Sequence, residues 1–332
     1  MTIALLPRFA AVAARAGGNH RSTLRASLAV ALCAPLVALA HTDGEARVAT
    51  HDWFSSWNTE AWLWALNLAS AALYAIGLGR LWRGAGRGAG IPPARATAFA
   101  LGWLGLATAL LSPLDPLGVH LFAAHMVQHE LLVLVAAPLL AVDRPLGAFV
   151  WGLPRGVRRA TWRCVHDGGL QRTVRALSRP LTAWSVHAAA LWVWHVPALF
   201  QRALASGPVH VAQHLSFFVS ALLFWWALLR PGMQRDRCGP ATLYVLTTGM
   251  HTGALGALLT FARTPWYPAY LATAPAFGIT ALEDQQLGGL IMWVPAGFVY
   301  LAIALVLFSA WLRAPRWEAA WLAGATPARP VR

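Results

Sequence analysis

The sequence predicts an all-α fold, a polytopic transmembrane helical bundle of seven spans behind an N-terminal signal peptide, N-terminus out and C-terminus in. Three observations predict it. Hydrophobic residues make up 58% of the 332 residues and charged residues 11%, where globular chains carry about 25% charged. Several apolar stretches approach the ~20 residues that cross a bilayer as a helix, and mean hydropathy is +0.53. The 26 basic residues crowd into alternate connections. A soluble enzyme is excluded, and the net charge of +14 reads as an orientation signal, not as a nucleic-acid surface. Every base is arginine, a habit of base composition more than a chemical demand. Cys33, Cys164 and Cys238 form no CxxC pair, so neither a thiolate cluster nor a disulfide framework is expected.

Taken in chain order, Arg8, Arg15, Arg21 and Arg25 precede the apolar run 28–40, which ends in Ala38-Leu39-Ala40 before a polar His41-Thr42-Asp43. A basic region, a short apolar core and an A-x-A site together read as a cleaved signal peptide, 1–40. The alternative is an uncleaved anchor, but the run is short and contains Pro35. Cys33 follows Leu32 and not a small residue, so lipidation is not expected. Residues 41–60 then form a periplasmic N-terminal segment.

Seven spans follow in the transmembrane domain 61–312, at 61–82, 95–114, 119–142, 181–204, 208–229, 240–262 and 286–312. Arg80, Arg83, Arg87 and Arg95 flank the first connection. Eight arginines from Arg144 to Arg179 fill the third, a basic loop at 143–180 expected to be partly an amphipathic surface helix. Arg230, Arg235 and Arg237 occupy the fifth, and Arg313, Arg316, Arg329 and Arg332 the tail 313–332. The even connections hold only Arg202 and Arg263. The positive-inside rule therefore places the mature N-terminus outside and the tail in the cytoplasm, in agreement with an exported N-terminus. Several of the 18 tryptophans, among them Trp62, Trp82, Trp226 and Trp311, stand at span ends as interfacial anchors. There is no transporter-type internal repeat and no phosphate-binding P-loop, so an ATP-driven pump is not indicated.

Ionisable side chains inside a span are costly and tend to be functional. His125 and His129 lie four apart in the third span, and His210 and His214 repeat that spacing at the start of the fifth. In a helix such pairs stack on one face, close enough to share an ion. His195 lies in the fourth span and His251 in the sixth. With the predicted topology, all six fall in the outer half of the bundle.

Imidazole is the commonest transition-metal ligand, and methionine thioether favours Cu(I). A histidine-rich set without cysteine, with Met126, Met250 and Met292 nearby, suits copper in the periplasm. Gln128, Asp284 and Gln285 are possible outer acceptors that would orient ring N–H groups. Each residue also has a plainer reading: the histidines as interhelical hydrogen bonders, the methionines as packing. Glu130 is an acid in mid-span, protonated or part of a proton or metal path.

These residues resemble a known family. The run His125-Met126-Val127-Gln128-His129, followed by Ala137-Pro138-Leu139-Leu140 and Arg144-Pro145, is similar to the CtaG family, assembly factors of caa3-type cytochrome c oxidases. So are Leu111-Ser112-Pro113-Leu114-Asp115, Trp194-His195-Val196-Pro197-Ala198-Leu199, His210 to His214 with Phe224-Trp225-Trp226, and Asp284-Gln285-Gln286-Leu287-Gly288-Gly289 running on to Met292-Trp293. The matching stretches run in order from Leu111 to Ile303. The resemblance implies a multi-pass protein of the bacterial plasma (inner) membrane. It would be a non-enzyme that helps copper reach the oxidase, with cytochrome c oxidase subunits and periplasmic copper chaperones as partners beside the lipid bilayer. It carries over to His125, His129, His195, His210, His214 and Asp284-Gln285, whereas His251 and Met250 come from depth alone. Glu130 departs from the pattern, where an apolar residue or Met is expected.

Three other functions compete with copper handling. A haem-binding electron-transfer protein would use histidines on different helices as axial ligands, but HxxxH pairs stack on one helix. A transporter would need polar residues continuing through the cytoplasmic half, where His187 and Asn67 are all that stand. A metal-free scaffold would use the histidines only to hold helices together.

Overall fold

Proline sets where several helices begin. In the computed structural model, which describes residues 56–166, 169–230 and 238–313 (for 162–171 the backbone only), Pro93, Pro180, Pro197 and Pro208 each occupy the first turn of a helix. There the missing N–H costs nothing and φ is already helical. The expected signal peptide, most of segment 41–60 and the tail beyond residue 313 lie outside the described residues.

The described chain is helical throughout. Helices α1 (Ala61–Ala85) and α2 (Pro93–Leu111) are followed by a short α3 (Leu114–His120). Then α4 (Phe122–Glu130), a π-helical stretch (Leu131–Ala136) and α5 (Ala137–Asp143) run on as one rod. The basic connection folds as α6 (Leu146–Gly152), α7 (Arg155–His166) and α8 (Gly169–Leu177). Next come α9 (Pro180–Trp194), α10 (Pro197–Leu204), α11 (Gly207–Leu228), α12 (Cys238–Thr260) and, after two 3-10 turns, α13 (Ala281–Arg313).

Among the described residues, five helices are long and apolar enough to cross a membrane: α1, α2, the α4–α5 rod, α11 and α13. The two other expected spans take different forms. The sixth is one 23-residue helix, α12, whose threonines and glycines lower its hydropathy. The fourth is broken. α9 stops at Trp194, and Val196 is extended (φ −61°, ψ 125°) because a residue before proline is pushed out of the helical region. Pro197 then starts α10.

The π-helical stretch has an identifiable chemistry. Ala137 N–H reaches back five residues to the Leu132 carbonyl. In that register the Val133 carbonyl would take its donor from position 138, which is proline and has none. The Trp225 indole N–H supplies it instead, at 2.8 Å.

Two apolar clusters hold the elements together. The larger joins the α4–α5 rod, α9, α11, α12 and α13 around Phe122, Met126, Phe217, Phe224 and Tyr300. The smaller, Tyr74, Ile91, Phe99, Leu140 and Ala148, packs α1 and α2 against α5 and α6. Between α12 and α13 the backbones nearly touch, since a Cβ on Gly256 would meet the Gly289 carbonyl at 3.0 Å and a Cβ on Gly289 would meet Thr260 Oγ1 at 2.5 Å. Small residues at such a crossing allow close packing where lipid supplies no hydrophobic drive. On the opposite side α13 exposes Leu301, Leu305, Val306 and Phe298, the last 71% accessible, an apolar face suited to acyl chains.

The basic connection is seated on α1. Arg80 donates from Nη1 to the carbonyls of Trp151, Gly152 and Leu153, satisfying the end of α6.

Candidate metal centre

Leu121 is extended (φ −131°, ψ 126°), which breaks α3 from α4 and leaves the first N–H groups of α4 without partners. The Asp284 carboxylate, in the first turn of α13, accepts two of them, from Phe122 at 2.6 Å and Ala123 at 2.9 Å. An anion at a helix N-terminus also complements the helix dipole. One turn on come His125 and His129, on the same face and edge to face with ring centroids 4.4 Å apart.

The facing pair comes from α11, where His210 and His214 stand 4.1 Å apart. His125 lies 5.4 Å from His210 and 5.6 Å from His214, and His129 lies 5.3 Å from His214. One ring nitrogen from each of His125, His210 and His214 falls within 4.8 Å of the others. His195, at the break after α9, completes the group with its ring 6.2 Å from His129. Its Nδ1 lies 2.6 Å from the Leu191 carbonyl. A carbonyl can only accept, so the proton is on Nδ1 and the Nε2 lone pair is free. Both nitrogens of His125 and His129, and Nε2 of His195, His210 and His214, are enclosed without a hydrogen-bond partner. Leaving one buried polar atom unpaired costs about 1–3 kcal/mol, so a set of seven is a strong demand for a ligand.

An aromatic cap closes the end of the cluster. Phe122 stacks on Tyr267 at 4.9 Å, Phe200 lies 4.4 Å from Tyr267, and Phe200 rests on His125 at 4.9 Å. The α12–α13 connection is pinned over the site by hydroxyl donors: Tyr267 to the His195 carbonyl, Tyr270 to that of Gly118, and Thr273 to that of His120. Burial pushes both tyrosine hydroxyls up from their ordinary value, which keeps them protonated and donating.

Beneath the cluster lies a cavity of about 20 Å³, lined by Met126, His129, Glu130, His195, Met292 and Tyr300 among others. That is room for about one water molecule or one ion.

Five of the six expected histidines thus come together, and His251 does not. It points toward α9, where Trp184 packs edge-on at 5.5 Å and His187 is a neighbour. Thr252, 100° further round, faces the cavity instead. Met250 is 72% exposed and turned away, whereas Met126 and Met292 are buried. The polar residues expected to orient ring N–H groups serve the backbone. Asp284 caps α4, and Gln285 Oε1 accepts the Trp266 N–H at 2.6 Å. Gln128 donates to the Ala109 carbonyl at 2.8 Å and to Asp115 at 2.6 Å.

Sequence reasoning missed two parts of the site. Asp115 and Glu60 lie within electrostatic reach of His210. Asp115 had a signal, an acid just after a Ser-Pro helix end, but Glu60 had none. The Tyr267, Tyr270 and Phe200 cap had no local pattern, because its residues meet only through the fold.

The family profile described as cytochrome c oxidase caa3 assembly factor (Caa3_CtaG) matches residues 72–314. The chain belongs to the CtaG family. Among curated relatives, Mb0105 of Mycobacterium bovis and MT0111 of Mycobacterium tuberculosis, each described as an uncharacterized protein, are 26% identical to this CtaG chain over 271 residues. The match takes in 78% of this chain, which spans 40% of the length of those relatives. No solved structure matches the chain. The profile contains every histidine of the cluster, the aromatic cap and Asp284, and it excludes Glu60.

Proposed function

We propose that this CtaG protein binds copper as Cu(I) at His125, His129, His195, His210 and His214 and helps deliver it to cytochrome c oxidase, acting by binding and not by catalysis. The observation that carries the reading is the convergence of one ring nitrogen each from His125, His210 and His214 within 4.8 Å, with Nε2 of all three enclosed and without a hydrogen-bond partner. Neutral imidazoles without thiolate, with two buried thioethers beside them, are a donor set that suits Cu(I). Copper here is cargo, and the histidines hold it while Asp115 and Glu60 attract a cation toward His210.

The same geometry speaks against the plainer readings. As interhelical hydrogen bonders the histidines would pair their ring nitrogens across helices, whereas Nε2 of all five is enclosed without a hydrogen-bond partner. Haem would need a flat slot between facing histidines, but these rings pack directly on one another and on Phe200 and Phe217.

The membrane topology belongs to the same proposal. Residues 1–40 act as a signal peptide of a bacterial plasma-membrane protein, and residues 41–60 lie in the periplasm. Seven crossings follow, with α9 and α10 together as the broken fourth and α12 as the sixth. The arginine-rich connections and the tail 313–332 then face the cytoplasm, and the cluster opens toward the periplasm, within reach of copper chaperones. The test is the copper content of oxidase purified from cells whose only copy of this chain carries His214→Ala. Copper-deficient oxidase is expected. Fully metallated oxidase overturns the delivery role.

A further inference from the structure

The helical register of α4 gives it two chemically different faces. His125 and His129 occupy one and meet α11. Met126 and Glu130, each one residue later, are rotated by 100° and turn toward α13. There they meet Met292 and Tyr300, with Thr252 from α12, around the 20 Å³ cavity. Met126 is 1% and Met292 4% exposed, and Glu130 Oε2 is enclosed without a hydrogen-bond partner. Two histidines of the cluster, His129 and His195, line this cavity as well, and each has at least one ring nitrogen unpaired.

A small residue on α13 brings that helix close to the Met126 face. A Cβ on Gly288 would stand 3.2 Å from Met126 Cγ and closer still to the Phe122 ring, so glycine there lets α13 approach the Met126 face. Pro295 lies within α13 and withdraws the donor from the Ile291 carbonyl one turn back, beside Met292. The π-helical stretch begins immediately after Glu130, a distortion often found at functional sites. A purely apolar packing gap needs neither two thioethers nor an unpartnered carboxyl.

We propose that this chamber is a second station for the same cation, holding Cu(I) on the Met126 and Met292 thioethers, with His129 and His195 shared between it and the histidine cluster. The inference rests on the copper reading of the cluster and adds a direction to it. The ion passes from an imidazole site at the capped end to a softer thioether site deeper in the bundle. Glu130 supplies a carboxyl to a cation that the neutral donors leave uncompensated, and Tyr300 and Thr252 supply hydroxyls.

The test uses full-length protein in detergent, loaded anaerobically with Cu(I) and labelled with selenomethionine, so that a selenium neighbour reports methionine ligation and no cysteine can imitate it. Wild type is expected to hold two equivalents and to show selenium beside copper. Met126→Leu/Met292→Leu conserves volume and should drop to one equivalent without losing the histidine signal. His210→Ala/His214→Ala should lose the histidine-only equivalent and keep the selenium neighbour. A wild type holding a single equivalent overturns the second station and leaves the cluster reading standing. A wild type that takes up no Cu(I) overturns both.

Discussion

Asp284 holds Phe122: its Oδ2 accepts the Phe122 backbone N–H at 2.6 Å while Oδ1 takes that of Ala123 at 2.9 Å. Through this contact the first turn of α13 fixes the start of the helix that carries His125 and His129, two residues far away in sequence from their anchor. Asp284→Ala leaves both N–H groups buried and unpaired, at about 1–3 kcal/mol each. The expected result is a lower melting temperature in detergent, together with weaker Cu(I) binding because α4 loses its fixed entry. Asp284→Asn keeps one acceptor and should fall between. Unchanged melting in Asp284→Ala would show that α4 is held by other contacts.

The separation of His251 from the cluster makes a paired prediction. His214→Ala removes a donor from the group that converges within 4.8 Å. Loss of a supporting residue near a metal costs about 10–100-fold in affinity, so loss of a ligand should cost more than that. His251→Ala, beside Trp184, should leave Cu(I) affinity unchanged. Competition with a chromophoric chelator measures both.

Gly288 is the tightest point between α13 and the Met126 face. Gly288→Ala forces its Cβ into the Phe122 ring, and overpacking of this kind costs about 1–3 kcal/mol. Thermal unfolding should show the loss. Gly253→Ala, where a Cβ would meet no atom within 4 Å, is the control on the neighbouring helix and should be neutral or slightly stabilising, since alanine is the better helix former.

Trp225→Phe tests the π-helical stretch. It keeps the aromatic packing against Tyr300 but removes the donor to the Val133 carbonyl. A cost of about 1–3 kcal/mol follows for the orphaned acceptor. Replacing Pro138 by Ala in the same chain restores a backbone donor and should recover part of it. Additive effects of the two substitutions would contradict the assignment.

The helices and the two HxxxH pairs were legible from the sequence because hydropathy and the i, i+4 spacing are local properties. Azimuth was not. His251 points to Trp184 of α9 and away from the cluster, and Met250 faces outward, since nothing local says which way a helix is turned about its axis. The break at His195 carried a local signal in Val196-Pro197, but the predominantly apolar composition of 181–204 masked it. The roles of Asp284 and Gln285 were misjudged for a related reason: they serve backbone donors exposed at breaks that only the fold brings near them. The aromatic cap over the cluster is wholly a product of long-range packing.

The central claim is that the histidine cluster holds copper, and metal analysis with an absorption spectrum of detergent-purified protein tests it most directly. Wild type and His125→Ala/His129→Ala should be compared after loading with Cu(I). Copper in the wild type, reduced in the variant, with no Soret band, is the predicted result. A Soret band would contradict the metal assignment in favour of haem. Wild type that takes up no copper would leave a bundle whose buried histidines serve only to join its helices.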